Sequence, residues 1–227
     1  ALQLHGTLAA GDNYCAASPP PSCQSHVLAY YHQGVQPLAG GVWPDLSQHG
    51  NDGTVSGIVS GAGDHVVFGN GYVAPGLSMS DMIAASGGTG AYTVAAWFQY
   101  TGSDTQLYSA IFGGSDGGVK SDWFIGKNAG NTALGVEDGR HSYLRGFVSS
   151  PGVFDAAGRG SAHSLIYTRS GRQSDGTYTG KAYIDGVLAA TPGSFVGVNG
   201  VEQLLIGMET GHHGGLHQFT GSMWQAL

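Results

Sequence analysis

Charge is scarce in this chain. Lys and Arg together number 8 and Asp and Glu 15 among 227 residues, a charged share of 10% where an average globular domain carries roughly 25%. The cations form no run or patch, which excludes the footprint of a nucleic-acid-binding protein. Net charge is −7. No uninterrupted stretch of about 18 apolar residues occurs, so the sequence predicts no membrane-spanning helix. Glutamate is limited to Glu137, Glu202 and Glu209, which leaves little material for paired-carboxylate catalysis. No nucleophile elbow of the G-x-S-x-G type and no phosphate-binding G-x-x-x-x-G-K-[ST] loop is found. A sustained apolar period of 3.6 residues is missing too, which argues against a helical fold. Cysteine is confined to Cys15 and Cys23, too widely spaced for a zinc knuckle and with no second pair to complete one.

What the chain has instead is glycine, 41 of 227 residues, and no G-X-Y period that would point to collagen. The glycines separate short apolar runs, and turn signals recur about every ten residues, the spacing of an all-β sandwich or barrel. Hydrophobic residues make up 41%, enough for a real core, and the length suits one undivided β domain. Strands are predicted at 53–59, 65–69, 71–74, 91–101, 106–113, 121–127, 132–137, 141–148, 161–169, 178–184, 187–191, 202–208 and 217–226, after a first apolar run at 26–31. Residues 77–85 read as one short helix with Ser80 as its N-cap. Residues 1–24 differ from the rest: they hold Pro19-Pro20-Pro21 and no periodicity, and are read as an arm preceding a domain at 25–227. A Cys15–Cys23 disulfide would close a small loop within that arm and contribute roughly 2–3 kcal/mol in the chain-entropy treatment; two free thiols are the alternative. Few Lys or Pro guard the strand edges, so the arm is expected to cover an edge of its own domain or reach a neighbouring copy. The start, ALQLHGTLAAGDNY, has no basic segment or long apolar run of a signal peptide. Removal of a leader, export by another route, or loss of an initiator Met all fit it, the last suiting a virion protein.

Two segments are the most informative. Residues 180–191, GKAYIDGVLAAT, lead Tyr183 and Ile184 into Asp185-Gly186 and out through Val187 and Leu188. Asp-Gly accepts the positive φ angles of a type I′ turn, whose twist matches two paired strands. Residues 42–55, VWPDLSQHGNDGTV, join strand formers through a polar loop. Together they resemble the signatures of the laminin-G-like branch of the concanavalin A-like lectin/glucanase superfamily, an early D-x-S-G-x-x-N-D-G-T segment and a late Y-x-D-G-x-x hairpin. Phe219, Gly221 and Met223 also fit that family's F-x-G-x-(I/M) strand, whereas Trp224-Gln225 stand where Asp-Glu is common. The resemblance implies a two-sheet antiparallel β-sandwich, a jelly roll, with an external role contacting glycan or protein.

Candidate site residues follow from residue type. Asp45, Asn51 and Asp52 share one loop between Gly50 and Gly53. Oxygen ligands on a loop suit Ca²⁺, and similar sandwiches carry calcium near this loop; Asp and Asn are equally ordinary turn formers through side chain–backbone hydrogen bonds. His212, His213 and His217 form an H-H-x3-H cluster with Glu209 nearby, readable as a metal site or as exposed loop histidines. Alternation places Trp97 and Phe98 on opposite faces, with Trp97 assigned to the core. Trp123, after Ser121-Asp122, and Tyr143, beside His141 and Arg145, are assigned to a ligand-binding surface. The motifs of related sandwich glucanases, E-x-D-x-E or E-x-D-x-x-E, and of sandwich alginate lyases are absent, and Glu137-Asp138 reads as part of a turn.

The sequence therefore points to a non-catalytic recognition or adhesion module, extracellular or on a virion, meeting glycan or a neighbouring protein. Two other readings stay open: a structural virion component, such as a phage decoration or tail protein assembling as an oligomer or lattice, and a polysaccharide-cleaving enzyme. Fold cannot separate them, because one sandwich hosts many functions.

Overall fold

A computed structural model describes residues 27–103, 106–115, 123–128, 133–138, 148–149, 153–155, 159–190, 202–210 and 216–227. The described chain is all-β apart from one helix. Its strands are β1 (Tyr31–His32), β2 (Val42–Trp43), β3 (Gly53–Ala62), β4 (His65–Ala74), β5 (Tyr92–Tyr100), β6 (Ser109–Ser115), β7 (Trp123–Lys127), β8 (Ala133–Asp138), β9 (Val148–Ser149), β10 (Ala162–Arg169), β11 (Gly180–Ile184), β12 (Val187–Ala190), β13 (Gln203–Ile206), β14 (Met208–Thr210), β15 (Leu216–Gln218) and β16 (Gly221–Ala226). The helix, α1, spans Met79–Ala85.

One antiparallel ladder links 14 of these strands in the order β12-β11-β10-β5-β16-β4-β13-β6-β7-β8-β9, with β3 on β4, β2 on β3 and β1 on β16; β14 and β15 form a separate pair. Strand β4 makes the ladder continuous. Its first half pairs with β16 through Val66, Val67 and Phe68, and Val73 near its far end pairs with Ile206 of β13. Both wings of the sheet supply the same core: Phe98, Tyr100, Leu165 and Tyr167 from one, Ile111, Trp123, Ile125 and Val136 from the other. The sheet therefore turns back on itself, and the layers that the sequence suggests as two separate sheets are joined by hydrogen bonds.

Glycine permits the bend. Register slips between Gly57 and Val59 where β3 pairs with β4. Gly57 has φ +76°, and a Cβ there would lie 2.3 Å from the Asn70 carbonyl oxygen. A bulge of this kind bends a strand and raises its twist. The Asp185-Gly186 turn has φ +50° and +77°, the double positive pattern expected of type I′.

Helix α1 is too short to stand alone. Met79 and Met82 bury its inner face. Its N-cap is Ser78, not Ser80: the Ser78 hydroxyl accepts from the Asp81 N–H while the Asp81 carboxylate accepts from Ser78, a reciprocal capping box. The sequence offered both serines, and the acidic residue three positions after Ser78 decides between them.

Candidate functional site

Strand β5 alternates as anticipated, with the opposite phase. Phe98 is fully buried and Trp97 half-buried on the outer face. Phe98 lies against Phe154 and Phe219 at ring separations of 6.1 and 6.0 Å. In AAWFQY both faces are apolar enough to go inward, so period-two alternation leaves the phase open; the neighbouring phenylalanines fix it.

Trp224 reaches the same outer face through a bulge. Met223 pairs with Phe98 and Gln225 with Trp97, so Trp224 is the extra residue. Met223 is buried, whereas Trp224 and Gln225 are both half-buried. The Trp224 ring lies 5.2 Å from Trp97 at 31° and 5.4 Å from His65 at 45°. The three residues belong to the adjacent strands β5, β16 and β4, so their rings form a row across the sheet. The bulge, by suspending alternation, supplies the middle ring.

Polar groups close one end of the row. Asp64 accepts from His65 Nδ1 at 3.0 Å. That bond above all, with the Trp224 side chain beside it, holds the Asp64 carboxyl below the usual carboxylate range against an opposing desolvation effect. Its side chain is 71% exposed. His32, paired with Gln225, accepts from the Gly34 N–H on Nδ1 at 3.1 Å, and burial lowers its pKa. An aromatic row with a free-facing carboxylate at its end can stack on a flat apolar face and accept hydrogen bonds from hydroxyl groups beside it.

The other sequence candidates fall elsewhere. Trp123 is 1% exposed, a correction to its surface assignment. Its indole N–H donates to the Tyr92 hydroxyl at 2.7 Å. On the other side of β7, Phe124 meets Tyr108 and His217. Covered on both faces, the strand reads WFIGK with no alternation. Trp123 also lines a cavity of about 410 Å³ with Met82, Tyr92, Phe112, Arg169 and Leu204. Arg169 sits in its wall between the rings of Tyr92 and Tyr178, 4.8 and 4.1 Å from their centroids. His217 is buried and bonded to buried Glu209, which corrects its reading as an exposed loop histidine; β15 folds it onto Tyr108 at 4.5 Å. Glu202 is buried as well. Tyr143, His141, Arg145, Cys15, Cys23, His212 and His213 lie outside the described residues.

The loop of Asp45, Asn51 and Asp52 is built as a turn. Asp45 accepts from the N–H groups of Tyr30 at 2.9 Å, Ser47 at 2.8 Å and Asn51 at 3.0 Å, and from the Ser47 hydroxyl at 2.7 Å. Asp52 accepts from the Asp45 N–H at 2.8 Å. The Asn51 side-chain amide donates to the Leu28 carbonyl at 2.7 Å, and the Asn51 backbone carbonyl accepts from the Tyr31 hydroxyl. Burial first, then Asp45 and Asp52, push the Tyr31 phenol pKa up. Among the described residues no group of three His, Cys, Asp or Glu side chains is placed to hold a metal ion.

No protein-family model matches this chain, and no curated protein sequence does. Solved structures share the fold. A Trypanosoma rangeli sialidase in complex with 2,3-difluorosialic acid is similar over 91% of this chain and 31% of its own length, at 13% identity and TM-score 0.57. Domain 4 of AbnA, a GH43 extracellular arabinanase from Geobacillus stearothermophilus, in complex with arabinotriose, is similar over 88% of this chain and 90% of the domain, at 15% identity and TM-score 0.50. A structure described as a receptor binding domain is similar over 90% of this chain and 47% of its own, at 11% identity and TM-score 0.54. The chain spans less than a third of the sialidases' length. At these identities the likeness is one of fold.

Proposed function

We propose that this chain is a non-catalytic recognition module that binds glycan through the Trp97–Trp224–His65 row, on an extracellular or virion surface. The observation that carries the reading is the row itself: three rings at 5.2 and 5.4 Å spacing on adjacent strands. A packed core has no need of an aromatic stripe on its outer face, whereas the C–H face of a pyranose or furanose finds in it the apolar platform it stacks on. The folds in common with an arabinanase domain solved with arabinotriose and with a sialidase support the reading. We read the sheet as a jelly-roll sandwich of the lectin-like kind whose layers are joined through β4.

A glycan array probed with the purified chain tests this. Trp97→Ala and Trp224→Ala should each weaken binding at least about tenfold, a loss of roughly 1.4 kcal/mol. Thr93→Ala, on the same strand away from the row, is the control. Binding that survives both tryptophan substitutions would remove the row from the site. An array with no bound glycan would return the chain to the structural virion reading, and release of reducing sugar from polysaccharides would favour the enzyme.

A further inference from the structure

Resting on that reading, we infer that the row selects neutral saccharides and rejects acidic ones, and that Asp64 is the residue that discriminates. The charge around the row is one-sided. Asp64 is bonded to one of its members, His65, at 3.0 Å and is largely exposed. The side chains that flank the rings on the outer face, Ser164 opposite Trp97 and Gln225 beside Trp224, are uncharged, and the Asp185 carboxylate bonded to Ser164 adds a second negative charge beyond Trp97.

Of the described cations, Lys127, Arg169, Arg172 and Lys181 lie away from the row. Lys127 is buried and donates to the Gln106 carbonyl. Arg169 is buried between Tyr92 and Tyr178. Arg172 donates to the Gly176 carbonyl at 3.3 Å, and Arg159 has its Nε buried. Lys181 pairs with Thr168 on the next strand, four residues along β10 from the Ser164 that faces Trp97. A sialic acid or uronic acid lying on the rings would bring its carboxylate to a face that offers Asp64 and, among the described residues, no cation in contact with the row. The whole chain, at −7, adds to the repulsion. A neutral sugar meets the same carboxylate as a hydrogen-bond acceptor for its hydroxyls.

Ring geometry separates this ligand from the other class that aromatic residues beside an acid can take, a quaternary ammonium. An ammonium cage needs ring faces converging on one point. Here the rings follow one another across three strands, tilted by 31° and 45°, and their faces do not converge on one point.

The test uses an array on which neutral glycans stand beside their sialylated or uronate counterparts, for example lactose with 3′-sialyllactose, probed at pH 8 and low salt. The neutral member of a pair should bind about three- to tenfold more tightly, the scale of repulsion between two unit charges at an exposed site. The ratio should shrink at high salt. In Asp64→Asn it should fall, with the acidic member gaining affinity, because an Asn carbonyl still accepts from His65 while the charge is gone. Equal or tighter binding of the acidic glycans by the unmodified chain overturns the inference and leaves the platform reading standing. A ratio unmoved by Asp64→Asn removes Asp64 from it. An array with nothing bound, or binding indifferent to Trp97→Ala, overturns the platform and the inference together.

Discussion

Gly57→Ala should cost about 3–5 kcal/mol of stability, while Gly63→Ala should cost about 1–2. Both glycines have positive φ, +76° and +65°, and share the penalty that a left-handed conformation imposes on an L side chain. They differ in space. At Gly63 an added Cβ meets nothing within 4 Å, whereas at Gly57 it would lie 2.3 Å from the Asn70 oxygen and 2.9 Å from the Gly71 Cα. Both atoms are backbone of the paired strand, so relief requires opening the β3–β4 ladder. Urea unfolding with a common slope measures the two costs. Equal losses would mean that the bulge relaxes freely and that the bend does not depend on it. The functional link is direct: the bend carries the first half of β4 to β16, and His65 stands next to Trp224 only because those strands meet.

Local chemistry made much of this fold legible. Asp185-Gly186 announces its turn as one of the few dipeptides that tolerate two consecutive positive φ angles. Residues 91–101 and 161–169 announced strands through β-branched and aromatic residues, and β5 and β10 occupy Tyr92–Tyr100 and Ala162–Arg169. Residues 65–69 and 71–74 were each read as strands; they are halves of β4, because Asn70-Gly71 looks like a turn but lies opposite the Gly57 bulge. The candidate site was less legible, for three separate reasons. The phase of β5 depends on which of two neighbouring aromatics finds partners, and Phe154 and Phe219 are 56 and 121 positions away from Phe98. Trp224 faces outward through a bulge, which no alternation rule anticipates. Trp123 follows the polar pair Ser121-Asp122 and so reads as a rim residue, yet its ring turns inward onto Tyr92 and Phe112. In each case a contact distant in sequence overrides a local pattern. Trp224-Gln225 stand where the resembled lectin-like strands commonly carry Asp-Glu, and that departure supplies the middle ring of the row.

Asp45→Ala should lower stability by about 2–4 kcal/mol, because it removes the acceptor of four hydrogen bonds at once. Three of the donors are backbone N–H groups, on Tyr30, Ser47 and Asn51, and an alanine methyl satisfies none of them. Tyr30 lies 15 residues from Asp45, so the bond ties the chain entering β1 to the loop that precedes β3, and the loss should register in global unfolding. Calcium makes a second, independent test of the same loop. Calcium takes six to eight oxygen ligands; the Asp45 oxygens already receive donors, one Asp52 oxygen receives the Asp45 N–H, and the Asn51 backbone carbonyl receives the Tyr31 hydroxyl. Melting temperatures in chelator and in millimolar calcium should therefore coincide, while Asp45→Ala melts lower in both. A midpoint that rises with calcium would mean that an ion bound by the native state adds its free energy to folding, and the loop would then be a calcium site whose ligands rearrange to admit it.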